Sequence, residues 1–199
     1  MSADLSSPAQ QDNATTTKQN VVIVGGGPTG VHTARQLLAK LASDRQASSK
    51  YQVILVTARP IYFNLPGAIR MLVTAEGKLE DKIMMPYADA LKVKGLQGEV
   101  KIGKVVSFTS GSDSSSEGGE VTLESGETIS YSVLLLCPGS AWTSPLDFPD
   151  DEEGIHEHIR VWREKIAKAE KYLVVGGGAV GIGTSIHLTF PHGMGLINI

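Results

Sequence analysis

Short apolar runs punctuate the chain, and the residues flanking each run predict an element. The run at 21–24, VVIV, is entirely β-branched and breaks into glycines, after which Ala34, Leu37, Leu38 and Leu41 recur at i, i+3, i+4 and i+7. A buried strand, a tight turn and an amphipathic helix are expected there. The run at 53–56, VILV, predicts a second strand, parallel to the first because the helix must carry the chain back. A third run, VLLL at 133–136, closes with Cys137, Pro138, Gly139 and Ser140 and reads as another parallel strand ending in a tight turn. Between 99 and 131 the texture changes to polar/apolar alternation, in EVKI at 99–102 and VTL at 121–123, which predicts a small antiparallel meander. A Ser- and Gly-rich flexible loop at 110–119 interrupts it. Residues 84–91 are read as a short helix with Pro86 near its start. Ile155, Ile159, Trp162, Ile166 and Ala169 share one face of a later helix, with the acids of 150–153 suited to its N-terminus. The stretch 172–175 then starts a second strand that again runs into glycines. Residues 1–19 lack any hydrophobic period and are read as a disordered tail.

Composition narrows the function classes. The chain has 199 residues, 41% hydrophobic and 20% charged, a globular balance with room for one complete domain and part of another. A net charge of -3 supplies no basic field for phosphate backbones, which argues against nucleic acid as a partner. The one cysteine, Cys137, rules out an intrachain disulfide and suits a reducing compartment. The opening residues carry no apolar run for a signal peptide and no arginine for a transit helix, and Ser2 stands where myristoylation needs glycine. No stretch reaches membrane-spanning length. A cytoplasmic protein without a transmembrane segment is therefore expected.

The candidate chemistry lies in the glycines. Gly25, Gly27 and Gly30 form G-x-G-x-x-G directly after a strand and at the opening of a helix, with Gly26, Pro28 and Thr29 in the same turn. In that context the first glycine permits the turn, the second lets backbone N–H groups approach a pyrophosphate, and the third lets helix and strand pack closely. Gly176, Gly178 and Gly181 repeat the spacing after a second apolar run, so two nucleotides are expected.

Taken together, NVVIVGGGPTGVHTARQL, a second strand, GETISYSVLLLCPGS and KYLVVGGGAVGIG resemble the apoptosis-inducing-factor-like pyridine nucleotide-disulfide oxidoreductase superfamily over about residues 19 to 183. The resemblance implies an α/β fold: a Rossmann-like FAD-binding domain at 20–145, with a parallel sheet and a small antiparallel meander, then a linker helix and the start of a second Rossmann-like unit for NAD(P) at 146–199. It implies FAD on the first turn and NADH or NADPH on the second, with electrons passing through flavin to a quinone or similar small acceptor. Cys137, Pro138 and Gly139 stand where the family keeps an Ala-Thr-Gly segment near the flavin nucleotide. Val105 stands where a backbone position meets adenine. Cys137 is read as packing rather than as a reactive thiol, and the absence of C-x-x-C excludes a disulfide relay. His156 and His158 point to different helix faces and are read as solvated; no metal site and no catalytic acid or base is identified.

Two departures from the pattern matter. A ribose-binding acid belongs about 20 residues past the first fingerprint, yet no Asp or Glu occurs between Asp44 and Glu76, and the position falls at Thr57, Ala58 and Arg59. Thr57 offers one weaker hydrogen bond, whereas Arg59 suits a phosphate and gives an NADP-binding module as the rival reading. After Gly183 the residues TSIHLTFPHG oppose a continued helix, and no second strand with an acid is expected. The alternative to an enzyme is accordingly a truncated, catalytically inactive nucleotide-binding or interaction fragment.

Overall fold

A computed structural model describes residues 18–111, 118–192 and 197–198. Strand β1 (Gln19–Val24) leads through the glycine turn into α1 (Pro28–Ser43) and the short α2 (Arg45–Lys50), whose N-cap Asp44 accepts from the amides of Gln46 and Ala47. Strand β2 (Tyr51–Thr57) comes next, then β3 (Ile61–Phe63), α3 (Leu65–Val73), α4 (Glu80–Ile83), β4 (Met84–Pro86) and α5 (Tyr87–Ala90). The small pair β5 (Lys92–Val93) and β6 (Leu96–Gln97) precedes β7 (Glu99–Ile102), β8 (Val105–Ser110), β9 (Gly119–Leu123), β10 (Thr128–Tyr131) and β11 (Val133–Leu136). Helix α6 (Glu152–Lys168), β12 (Leu173–Val174), α7 (Ala179–His192) and β13 (Ile197–Asn198) complete the order.

The main sheet runs β11-β1-β2-β7 with every pair parallel. Because β1 and β2 lie at its centre, both their faces are covered, which is why they read as unbroken apolar runs. On β2, Val53 and Leu55 meet Ala34 and Leu38 of α1, while Ile54 and Val56 meet Val121, Leu123 and Ile129 of the β10-β9-β8 meander. A third cluster joins Met71 and Leu72 of α3 to Ile155 and Ile159 of α6 through Phe148. The three clusters place helix, sheet and meander in layers, with both parallel-strand ends at 24 and 136 opening on one side.

Several expectations change. Gln19, assigned to the tail, opens β1 opposite Tyr51. The alternating segment 99–102, expected in the meander, is the fourth parallel strand, with Val100 opposite Leu55. It alternates because it lies at the sheet edge, with Val100 turned toward the core and Glu99 exposed. Residues 84–91 are not one helix: Met84–Pro86 pairs antiparallel with β3, and Pro86 then caps a single turn. The loop expected at 110–119 falls mostly on 112–117, outside the described residues. Helix α7 runs through the residues expected to oppose it. The Thr184 and Ser185 hydroxyls bond back to the carbonyls of Val180 and Gly181, and Leu188 is buried. A further strand is present after it, β13, parallel to β12.

Candidate cofactor-binding site

The first glycine turn is fixed from both sides of the sheet. The Gly25 amide donates to the Val56 carbonyl and the Cys137 amide to the Val24 carbonyl, each at 2.8 Å, so the turn continues the parallel ladder one step past the strand ends. Gly25 has φ +114°, open only to glycine at low cost, and a Cβ there would overlap the Cys137 carbonyl oxygen. A Cβ on Gly30 would overlap the Gly25 carbonyl, so helix and turn touch backbone to backbone. Gly27 is the opposite case: none of the described residues lies within 4 Å of where its Cβ would stand. It caps α1 without a side-chain hydrogen bond, and α1 has no acid in its first turn. The unpaired amides of a 16-residue helix therefore face an open space favourable to an anion.

That space is a cavity of about 320 Å³ at the carboxyl ends of β1, β2 and β11. Of the residues singled out from sequence, Gly25, Gly26, Gly27, Pro28, Thr57, Arg59, Cys137, Pro138 and Gly139 all line it. Thr29 is exposed on the first turn of α1, and Gly30 is buried beneath the turn. Val105 lies off the cavity wall, packed at the start of the meander. Sequence reasoning did not pick out Phe63, Leu65, Tyr87, Ser140, Trp142 or Asp150, which with Ala58 complete the wall. Phe63, Leu65 and Tyr87 sit at the ends of the short elements β3, α3 and α5, and Ser140, Trp142 and Asp150 in the irregular segment after β11, where no period marks an inward face.

Thr57 and Arg59, which occupy the place of the absent acid, are both engaged. The Tyr87 hydroxyl donates to the Gly26 carbonyl at 2.9 Å and lies 3.2 Å from Thr57 Oγ1. With its proton committed, the Tyr87 oxygen is an acceptor for the Thr57 hydroxyl, which also reaches the Arg59 carbonyl at 3.4 Å and accepts from the Arg59 amide at 3.3 Å. Burial raises the Tyr87 phenol above its ordinary value, so it stays protonated and a donor. The Arg59 guanidinium donates to the carbonyls of Pro149 (3.1 Å) and Phe148 (2.9 Å) and pairs with Asp150 at 3.4 Å. It thereby ties the segment after β11 to the end of β2 and has its charge met within the chain.

Cys137 is half-buried and packs against the cluster beneath α1, while its carbonyl abuts Gly25. His156 is exposed as expected, but His158 is not simply solvated. Its Nε2 donates to the Pro145 carbonyl at 2.8 Å, and its ring lies against Phe148 and Trp162, helping to seat the same segment on α6.

The second turn repeats the geometry of the first. Gly176 has φ +108°, a Cβ on Gly181 would overlap the Gly176 carbonyl, and Ile182 N–H bonds Gly178 O at 3.0 Å, as Val31 N–H bonds Gly27 O at 3.0 Å. None of the described residues lies within 4 Å of a Cβ on Gly176, Gly177 or Gly178. Between the two turns is an apolar cavity of about 240 Å³, where Ala179 and Val180 of α7 face Leu65 and Trp142, two residues that also wall the first cavity.

The profile of the family described as pyridine nucleotide-disulphide oxidoreductase matches residues 19–190. The chain belongs to that family. Its members are oxidoreductases that bind FAD and NAD(P)H. Among curated relatives, an FAD-dependent oxidoreductase of Flammulina velutipes is 33% identical over 56% of this chain and 33% of its own length. Apoptosis-inducing factor homolog B of Dictyostelium discoideum is 28% identical over 83% of this chain and 38% of its own. The sulfide:quinone oxidoreductase of Aquifex aeolicus superposes with a TM-score of 0.51 at 24% identity, over 79% of this chain and 34% of that one, a likeness of fold. The chain thus spans between a third and two fifths of the length of these relatives. Among the described residues no helix is long and apolar enough to cross a membrane.

Proposed function

We propose that this chain binds FAD on the first glycine turn and NADH or NADPH on the second, as an FAD-dependent NAD(P)H oxidoreductase that delivers electrons to a quinone or similar small acceptor in the cytoplasm. The observation that carries the reading is the open Gly27 at the uncapped start of α1, inside a cavity at the carboxyl ends of three parallel strands. The site fits the group: a side chain at Gly25 or Gly30 would close the turn, and no acid in the first turn of α1 opposes a diphosphate.

When bound, FAD supplies the exchange of a hydride for single electrons or an electron pair, which no side chain here can perform. The chain's part is to hold and shield. Main-chain amides of the first turn take the diphosphate. Cys137, Pro138 and Gly139 give a wall of small residues on one side, Phe63, Leu65 and Trp142 give apolar surface that excludes water, and the charged rim of Arg59 and Asp150 stays wet. The shared wall of Leu65 and Trp142 leaves a short route from the first cavity to the start of α7, where the second nucleotide would approach.

A second reading keeps nucleotide binding and drops the chemistry. It is favoured by the second unit's uncovered apolar surface, with Leu173 62% and Val175 75% exposed beside the second turn. Purification without added cofactor separates the two. A yellow protein whose released flavin has the mass of FAD, and whose absorbance bleaches on adding NADH or NADPH, supports the oxidoreductase. A yellow protein that does not bleach supports the inactive nucleotide-binding reading, and a colourless one that takes up no added FAD removes both.

A further inference from the structure

The middle glycine of the first turn, Gly26, is not one of the three fingerprint positions, yet it is buried and walled by two side chains. A Cβ there would overlap both the Tyr87 hydroxyl and Thr57 Oγ1. Both partners are buried, at 4% and 5% exposure, so neither can simply swing aside. The reason for the close approach is the hydrogen bond from the Tyr87 hydroxyl to the Gly26 carbonyl. The Gly26–Gly27 peptide is trans, and in a trans peptide the carbonyl and the following N–H point in opposite directions. Holding the Gly26 oxygen against the wall formed by β2 and α5 therefore turns the Gly27 N–H away from that wall, toward the open side of the turn. Gly25 differs, since its own N–H is already taken by Val56.

We infer that Tyr87 is a positioning residue for the diphosphate site: its hydroxyl, backed by Thr57, latches the Gly26 carbonyl and so presents the Gly27 amide to the bound anion. The inference rests on the first turn being a diphosphate site. Tyr87 acts through the backbone and not through the ligand. Burial keeps its phenol protonated, as a donor must be. Thr57, standing where an acid is absent, serves this latch rather than a ribose. Among the described residues, none lies within 4 Å of a Gly177 Cβ.

The test uses the full chain labelled with ¹⁵N, with ADP and adenosine as probes because they differ only in the diphosphate. In the unsubstituted chain, ADP should shift the Gly27 amide strongly and the Gly25 amide little. Y87F, which keeps the ring and deletes the donor, should weaken ADP by about two- to tenfold, the range of one neutral hydrogen bond, and leave adenosine unchanged. It should also shrink the Gly27 response. Equal loss for ADP and adenosine, or an unchanged ADP affinity and Gly27 shift in Y87F, overturns the latch while leaving the diphosphate site standing. Failure of the unsubstituted chain to bind either ADP or FAD overturns both. Should Y87F not fold, the unsubstituted chain decides alone: a Gly25 amide that responds to ADP as strongly as Gly27 does sinks the inference.

Discussion

At the residue scale, an added methyl group has opposite consequences at two positions of one motif. On Gly30 it would overlap a backbone carbonyl that cannot rotate away, so G30A should force α1 off the turn and cost about 1–3 kcal/mol of stability by overpacking. On Gly27 it meets nothing, so G27A should change stability by no more than about 0.5 kcal/mol while its methyl occupies the space through which a diphosphate approaches. Urea unfolding and FAD titration of the two variants check this: G27A is expected to unfold with the original protein and bind FAD poorly. A G27A chain that binds FAD as well as the original would remove the diphosphate from this turn. The spacing of the three glycines anticipated the close packing at Gly30 and the open space at Gly27, because a backbone approach leaves its mark on sequence as a missing side chain. Tyr87 and Asp150 left no such mark. A tyrosine that donates inward and an aspartate paired across a cavity look in sequence like any other, and only the return of the chain to β2 makes them part of the site.

At the element scale, runs with a clear period were legible and single turns were not. Strands β1 and β2 are buried on two faces and helices α1 and α6 carry one apolar stripe each, so there local pattern and final environment agree, whereas β11 keeps an unbroken apolar run at the sheet edge with Val133 and Leu136 about half exposed. Segments 61–63 and 84–86 gain their strand character only from each other, across 20 residues, and 99–102 shows one-sided alternation that an edge strand shares with a meander. Helix α7 was obscured for another reason: its Thr184 and Ser185 hydroxyls are satisfied by its own carbonyls, and its packing on α3 outweighs its poor propensity. Tertiary caps are equally hidden. Arg163 of α6 donates from Nε to the Met71 carbonyl (2.6 Å) and from Nη2 to the Thr74 carbonyl (3.0 Å), closing the end of α3, and pairs with Glu80 in a site only about a fifth exposed. R163M removes charged donors from carbonyls with little water to replace them and should cost about 2 kcal/mol. R160M, one turn earlier, breaks only surface pairs with Glu157 and Glu164 and should leave the unfolding midpoint where it was. Chemical denaturation of the pair measures the contrast, and equal effects would mean that Arg163 is no cap.

For the whole molecule, the order of two glycine turns on either side of a meander was visible from the chain alone. Their relation was not, because Leu65, Trp142 and the start of α7 meet only in three dimensions. The two turns share a backbone but differ in surroundings, and that difference has a thermodynamic consequence. The first is built into the main sheet by Val56 and Cys137, packs on two core clusters and has its middle carbonyl held by Tyr87, so little remains to be ordered when a nucleotide arrives. The second stands on a two-residue strand pair with exposed Leu173 and Val175 beside it. A ligand that binds only the folded state stabilises it by about 2.7 kcal/mol at a hundredfold excess over its Kd. For a chain of this size that corresponds to a rise of roughly 5–10 °C in Tm. FAD should therefore raise the melting temperature of the cofactor-free chain by such an amount at concentrations where NADH alone produces no rise. NADH added after FAD should act only through what it contributes beyond the flavin. A larger shift with NADH alone than with FAD alone would mean that the well-supported turn is not the flavin site, and the assignment of the two nucleotides would have to be exchanged.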